Sequence, residues 1–118
     1  MYNWSSVLRY AIRTVLWQTY SRFELLVVGD GCTDDSGDVV AAFGAPRVRW
    51  HNLPRNPGHQ SVPNNIGLQM ARCEYVAYLG HDDVWFPTHL SVLVKALERT
   101  QADLAYTRSV MLGPPGSR

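Results

Sequence analysis

The stretch from Glu74 to Trp85 (EYVAYLGHDDVW) constrains this chain most. Tyr75, Val76, Ala77, Tyr78 and Leu79 form a short apolar run of largely β-forming side chains, and two adjacent carboxylates, Asp82 and Asp83, follow it closely. Such a run predicts a strand covered on both faces, as in a parallel sheet. In open α/β sheets the ligand crevice lies beyond the carboxyl ends of the strands. Two carboxylates at a strand end have two readings. They can hold a divalent cation, and through it a diphosphate. Or they can cap the helix that Pro87 is suited to open.

The pattern around this stretch alternates between helix and strand. Val7, Leu8, Ala11, Ile12, Val15 and Leu16 recur at helical spacing, with Ser5 or Ser6 as a cap and an end near Gln18. Residues 23–28 read as a strand that Gly29-Asp30-Gly31 breaks. Asp34, Asp35 and Ser36 offer a cap for a helix through about Phe43, stopped by Gly44 and Pro46. A second strand spans 48–53, and a loop with Pro54, Asn56, Pro57 and Gly58 follows. Ser61 or Asn64 starts a helix through about Ala71. After the strand at 75–79, a helix runs from Pro87 to about Arg99, and 104–107 reads as a last strand. The alternation predicts an α/β domain with a largely parallel sheet flanked by helices. One feature is odd: the chain opens on a helix that should return from a strand, and Met1 and Tyr2 are at most the stub of one.

A chain of 118 residues is one domain by size. The expected domain is 1–112, with 113–118 (GPPGSR) a frayed tail. Composition is globular, with 46% hydrophobic and 18% charged residues. The formal charge of +1, with basic residues scattered, makes no electrostatic case for nucleic acid or an anionic membrane. No apolar stretch approaches the roughly 20 residues that span a bilayer, and no signal-type apolar region opens the sequence. The expectation is a cytoplasmic chain. Cys32 and Cys73 share no metal spacing and read as free thiols.

Three segments together resemble the N-terminal half of a family 2 glycosyltransferase. Tyr2-Asn3 and the helix end Trp17-Gln18-Thr19-Tyr20 resemble the family's opening Y-N … Q-T-Y element. Residues 23–34 (FELLVVGDGCTD) resemble its E-hydrophobic-V-V-x-D-G-S-T-D strand and loop. Residues 72–87 (RCEYVAYLGHDDVWFP) resemble its G-E-Y-hydrophobic-L-D-x-D-D-x-W-x-P segment. The match runs in order over roughly residues 2–90. It implies a GT-A fold, a nucleotide diphosphate sugar donor (UDP- or GDP-linked), Mn²⁺ or Mg²⁺, and transfer of the sugar to a hydroxyl acceptor. By the resemblance, Asp30 contacts the nucleotide base, or else it forms an Asx-type turn with Gly31, and Asp82, the last residue of the D-x-D motif, binds the metal. Asp83 either supports that site or caps a helix. Tyr2 and Asn3 match a strand end that lines the nucleotide, or they simply pack. Gly58 permits close approach of a loop backbone to the donor.

Gly80 stands where the family has its first aspartate, so donor affinity should be reduced. His81 fills the variable middle position, either supporting the metal or lying as a loop histidine. Asn64 stands where relatives often place arginine, so no phosphate-binding role carries over to it, and His59 reads as a polar loop residue. The family's first strand is nearly all absent ahead of Tyr2. Nothing near Asp103, the only acid after Glu98, resembles the motif of the catalytic base. The expectation is therefore a GT-A domain truncated at both ends: a donor-binding half, inactive in transfer alone, with its catalytic residue unknown. Other readings are a non-catalytic nucleotide-binding fragment and a dinucleotide-binding α/β domain. The second lacks its third glycine, since position 34 is Asp34. A phosphohydrolase built on His81-Asp82 would be all-helical, which the Val-rich strands contradict.

Overall fold

The computed structural model describes residues 1–111 and Gly113. Six elements follow in order: α1 (Ser5–Leu16), β1 (Leu25–Gly29), α2 (Ser36–Ala41), β2 (Val48–Asn52), α3 (Ser61–Met70) and α4 (His89–Thr100). β1 and β2 form a parallel pair in the register Leu25↔Val48 to Gly29↔Asn52. The fold is α/β, a parallel sheet with helices on both faces.

Strand periodicity sorts the layers. Successive side chains of a strand point to opposite faces. Leu25 and Val27 of β1, with Val48 and Trp50 of β2, join Leu8 and Ile12 of α1 and Val40 of α2 in one core cluster. On the opposite face Val28 meets α3 at Gly67, where a Cβ would lie 3.4 Å from Val28 Cγ2. The apolar stripe of α1 is the reason it lies flat on the sheet: Leu8, Ala11, Ile12 and Val15 are all buried.

Capping differs from the simplest reading. Neither Ser5 nor Ser6 caps α1. The N-cap position is Trp4, and the Ser5 amide donates to Asp34 Oδ2 at 3.2 Å. Oδ1 of the same carboxylate accepts from the Ser36 amide at 3.1 Å and from the Ser36 hydroxyl. One aspartate thus joins the N-termini of α1 and α2, where the helix dipoles favour negative charge. Its carboxyl is held below its ordinary range, chiefly by the Ser36 hydroxyl.

Two expected strands do not form. Residues 75–79 lie outside any sheet, with Tyr75, Val76 and Tyr78 exposed by 40%, 42% and 60%. The reason is a missing neighbour. Among the described residues β1 bonds β2 on one edge, and on the other it meets only Met1. The Met1 amine donates to the Val28 carbonyl at 3.1 Å, and the Asp30 amide donates to the Met1 carbonyl at 2.6 Å. An apolar run becomes a strand only where a ladder is on offer for its backbone. Residues 104–107 are likewise unpaired, with Leu104 and Tyr106 exposed. Helix α4 starts at His89, two residues after Pro87, with Thr88 as N-cap. The expected frayed tail, 113–118, lies outside the described residues except for Gly113.

Candidate functional site

Asp30 sits just past the C-terminal end of β1. Its amide is fixed by the Met1 carbonyl, and its Oδ1 is buried with no hydrogen-bond partner among the described residues. A buried carboxylate oxygen without a donor is uncommon in a folded protein and marks a place where a ligand can supply one. The turn around it is tightly built. Gly31 has φ +75°, and a Cβ there would fall on the backbone of Arg55 and Asn56. Only glycine allows the 54–60 loop to close this far onto the end of β1. Gly58 lies on that loop with φ +82°, its amide donating to Asn56 Oδ1 at 2.7 Å, and the space where its Cβ would point is open. His59 bonds Ser61 on the exposed side of the loop. Asn64 lies within α3.

Asn3 ties the chain start to the same turn. Its Oδ1 accepts from the amides of Thr33 at 2.8 Å and Asp34 at 3.3 Å, and its Nδ2 donates to Thr33 Oγ1 at 3.0 Å. These bonds hold Asn3 at φ +45°, a conformation that asparagine tolerates better than most residues. Tyr2 beside it is exposed. Next in the chain, Trp4 packs on His81, ring centroids 5.2 Å apart. The segment from Tyr2 to Trp4 therefore bridges the Asp30 turn to the carboxylate loop.

In that loop Asp82 and Asp83 converge on Gly80. A Cβ on Gly80 would lie 2.6 Å from Asp83 Oδ2 and 3.1 Å from Asp82 Oδ1, so the room left by the missing side chain is taken by carboxylate oxygens. The Asp83 amide donates to the Gly80 carbonyl at 3.1 Å. This corrects the capping reading. Both carboxylates turn back toward Gly80, well ahead of α4, whose N-cap Thr88 makes no side-chain capping bond. His81 Nδ1 lies 3.9 Å from Asp82 Oδ1, too far for a hydrogen bond. Among the described residues no group of three His, Cys, Asp or Glu forms a metal cluster. Two converging carboxylates are nonetheless the kind of donor set that Mg²⁺ or Mn²⁺ accepts when substrate phosphates and water complete the shell. Cys32 and Cys73 are free thiols.

Three residues that hold this site, Gln18, Thr14 and Asn52, are assigned no role by the sequence, although Gln18 lies in the Q-T-Y element. Gln18 is buried. Its Nε2 donates to the carbonyls of Thr14 (3.1 Å) and Phe86 (2.8 Å), and its Oε1 accepts from the Leu90 amide (2.9 Å). Thr14 Oγ1 accepts from the Trp85 amide at 3.2 Å. Together they pin the segment after the carboxylates to α1. A signal for Gln18 was available, because it continues the buried Leu8–Ala11–Val15 stripe as a polar residue. Asn52 gave none. It clamps the Cys32 backbone in both directions, accepting from its amide and donating to its carbonyl, each at 2.8 Å. At the other end of the sheet Glu24 accepts from Arg72 Nη2 (2.7 Å) and Arg49 Nη1 (3.3 Å). The Arg72 contact, ahead of the others, keeps its carboxyl below the ordinary range.

A family model described as glycosyl transferase family 2 matches residues 1–113. An uncharacterized glycosyltransferase of Nostoc sp. is 38% identical over 99 residues, covering 82% of this chain and 30% of that protein. Glycosyltransferase GlyG of Streptococcus pneumoniae is 30% identical over 105 residues, covering 88% of this chain and 35% of the relative. GlyA of the same organism is also 30% identical over 105 residues, with 89% and 15% covered. The chain thus spans about a third or less of the length of these relatives. Among the described residues no helix is long and apolar enough to cross a membrane. The resemblance in three separate segments, the parallel α/β fold and the match along nearly the whole sequence agree: the chain belongs to glycosyl transferase family 2.

Proposed function

We propose that this chain carries the donor-binding part of a glycosyltransferase that takes a sugar from a nucleoside diphosphate and moves it to a hydroxyl acceptor. The observation that supports this best is the buried, unpartnered Oδ1 of Asp30 at the end of β1. A base N–H or ribose hydroxyl would satisfy it. Tyr2, Asn3 and the Gly58 loop border the same turn, Asn3 by fixing its backbone and the loop through Arg55 and Asn56. The diphosphate would lie toward Asp82, with Asp83 and His81 beside it. A divalent cation, Mn²⁺ or Mg²⁺, held by Asp82 would neutralise charge on the departing diphosphate. Trp4 on His81 keeps the two halves of the site in register.

Calorimetric titration of UDP and of GDP, with and without Mn²⁺, tests this reading. With no carboxylate at position 80, the expected dissociation constant is about 0.1–1 mM, or roughly 4–5.5 kcal/mol. Asp82→Ala should remove the metal dependence. Asp30→Ala should weaken binding with and without metal. Binding that neither substitution changes would overturn the assignment.

A further inference from the structure

Beside the contacts that hold the site, α1 carries a feature that the donor chemistry does not need. Residues 1–23 contain Arg9, Arg13 and Arg22 and no aspartate or glutamate. The whole-chain charge of +1 hides this, because the acids begin at Glu24 and gather at Asp30, Asp34, Asp35 and Asp38. Arg9 and Arg13 are four residues apart on α1 and therefore share a face. Both are exposed, and the ion pairs among the described residues use Arg49, Arg72 and His81 instead. The helix dipole accounts for Arg13 in the last turn. It does not account for Arg9, nor for the aromatic rings around them.

Those rings are largely uncovered. Trp17 is 69% exposed and Phe86 77%. Together with Tyr10, Arg13, Val84 and Trp85 they line a shallow groove of about 330 Å³ between α1 and the segment that Gln18 and Thr14 hold against it. An apolar body with polar tips, flanked by guanidinium groups on apolar stems, is the chemistry of the water–lipid boundary. Tryptophan and tyrosine settle at headgroup depth, and arginines there meet lipid phosphates and anionic headgroups. A saccharide needs several directed hydrogen-bond partners, and this groove offers little besides one guanidinium and the ring N–H and O–H groups, since the Thr14 hydroxyl is already bonded to Ala11 and Trp85. An acidic protein partner would answer the arginines but leave Trp17 and Phe86 without an apolar counterpart.

We propose that the outer face of α1, from Arg9 to Trp17 with Val84 to Phe86, docks on an anionic membrane surface. Whole-chain protein mixed with vesicles of phosphatidylcholine, alone or with phosphatidylglycerol, tests this by flotation at low and high salt. The expected result is binding to the anionic vesicles only, weakened by salt. Replacing Arg9 and Arg13 by glutamine should lower partitioning by about 25-fold, roughly fivefold for each arginine. Trp17→Ala and Phe86→Ser should each weaken it with the helical circular dichroism unchanged. Replacing Lys95 and Arg99 of α4 by glutamine removes the same charge elsewhere and should leave partitioning as it was. Several results would overturn the proposal: no flotation, equal flotation with neutral vesicles, or equal loss in the α4 control. Release by soluble oligosaccharide, or a dimer that hides Trp17 without any vesicle binding, would overturn it as well.

Discussion

Residues 1–70 and residues 71–111 are built differently. The first region holds Leu8, Ala11, Ile12, Val15, Val27, Val40 and Leu53, every buried apolar core residue but one among the described residues. The second contributes only Leu90. Yet Asp30 lies in the first region and Asp82 in the second. The first is organised by hydrophobic burial, which is cooperative and non-directional. The second is attached by a few directed bonds, from Gln18, Thr14 and Thr19 to residues 85–91 and from Glu24 to Arg72. Half of the candidate site therefore rests on a core, and the other half on hydrogen bonds that single substitutions can remove.

The largest expected effect breaks the first region. Ile12 is 2% exposed at the centre of the cluster, so Ile12→Ala should cost about 2–5 kcal/mol. That is a large part of a total stability of roughly 5–15 kcal/mol. Chemical denaturation measures it. Tyr78→Ala in the second region should stay within about 0.5 kcal/mol. A comparable cost at Tyr78 would mean that 75–79 is packed after all.

Gln18→Ala separates the regions. It leaves the Leu90 amide without its acceptor, at about 1–3 kcal/mol for a buried group, while the Phe86 carbonyl keeps only the His89 amide. Hydrogen exchange should quicken across residues 85–92 while β1 keeps its protection. Equal loss in both would show a single cooperative unit.

The open edge of β1 offers a gain in place of a loss. A segment of about six apolar residues fused ahead of Met1 should pair along that edge and give 75–79 a neighbour. The melting temperature should rise by about 4–8 °C. An unchanged value would show that the edge is closed in another way.

The smallest effect tests the ion pairs at the foot of the sheet. The Glu24 carboxyl is held below its ordinary value of 4.5, chiefly by Arg72. A depressed carboxyl stabilises the fold above its ordinary pKa, and that contribution is lost as pH falls through the folded value. Arg72 is largely exposed and solvent screens the pair, so Glu24→Gln should cost about 1 kcal/mol or less. Denaturation midpoints of wild type and variant should differ at pH 7 and converge as pH falls below 4.5 and through the folded value. A gap that persists in acid would place the role of Glu24 in packing.

The same division governs what the sequence reveals. Helices α1 to α4 and strands β1 and β2 are legible because each carries its period and its stops within itself: the stripe of α1, the glycines after β1 and α2. Residues 75–79 mislead because an apolar run records a need for burial, whereas a strand also needs a neighbour in the right place, which local sequence does not encode. Within the site, Asp30 and the carboxylate loop are legible as acids following apolar runs. The turn of Asp82 and Asp83 onto Gly80 is not, since glycine shows only what is missing there. Asn52 is silent because its role is set by the parallel register that brings it beside Cys32.

The central claim is that Asp30 and Asp82, one from each region, serve one ligand. Hydrogen exchange of the whole chain with and without UDP and Mn²⁺ tests it most directly. The account predicts that amides of residues 30–33 and 80–83 slow together, at the same ligand concentration, and that Asp82→Ala abolishes both responses to the metal complex. Protection confined to one loop, or the two loops responding at different concentrations, would contradict it.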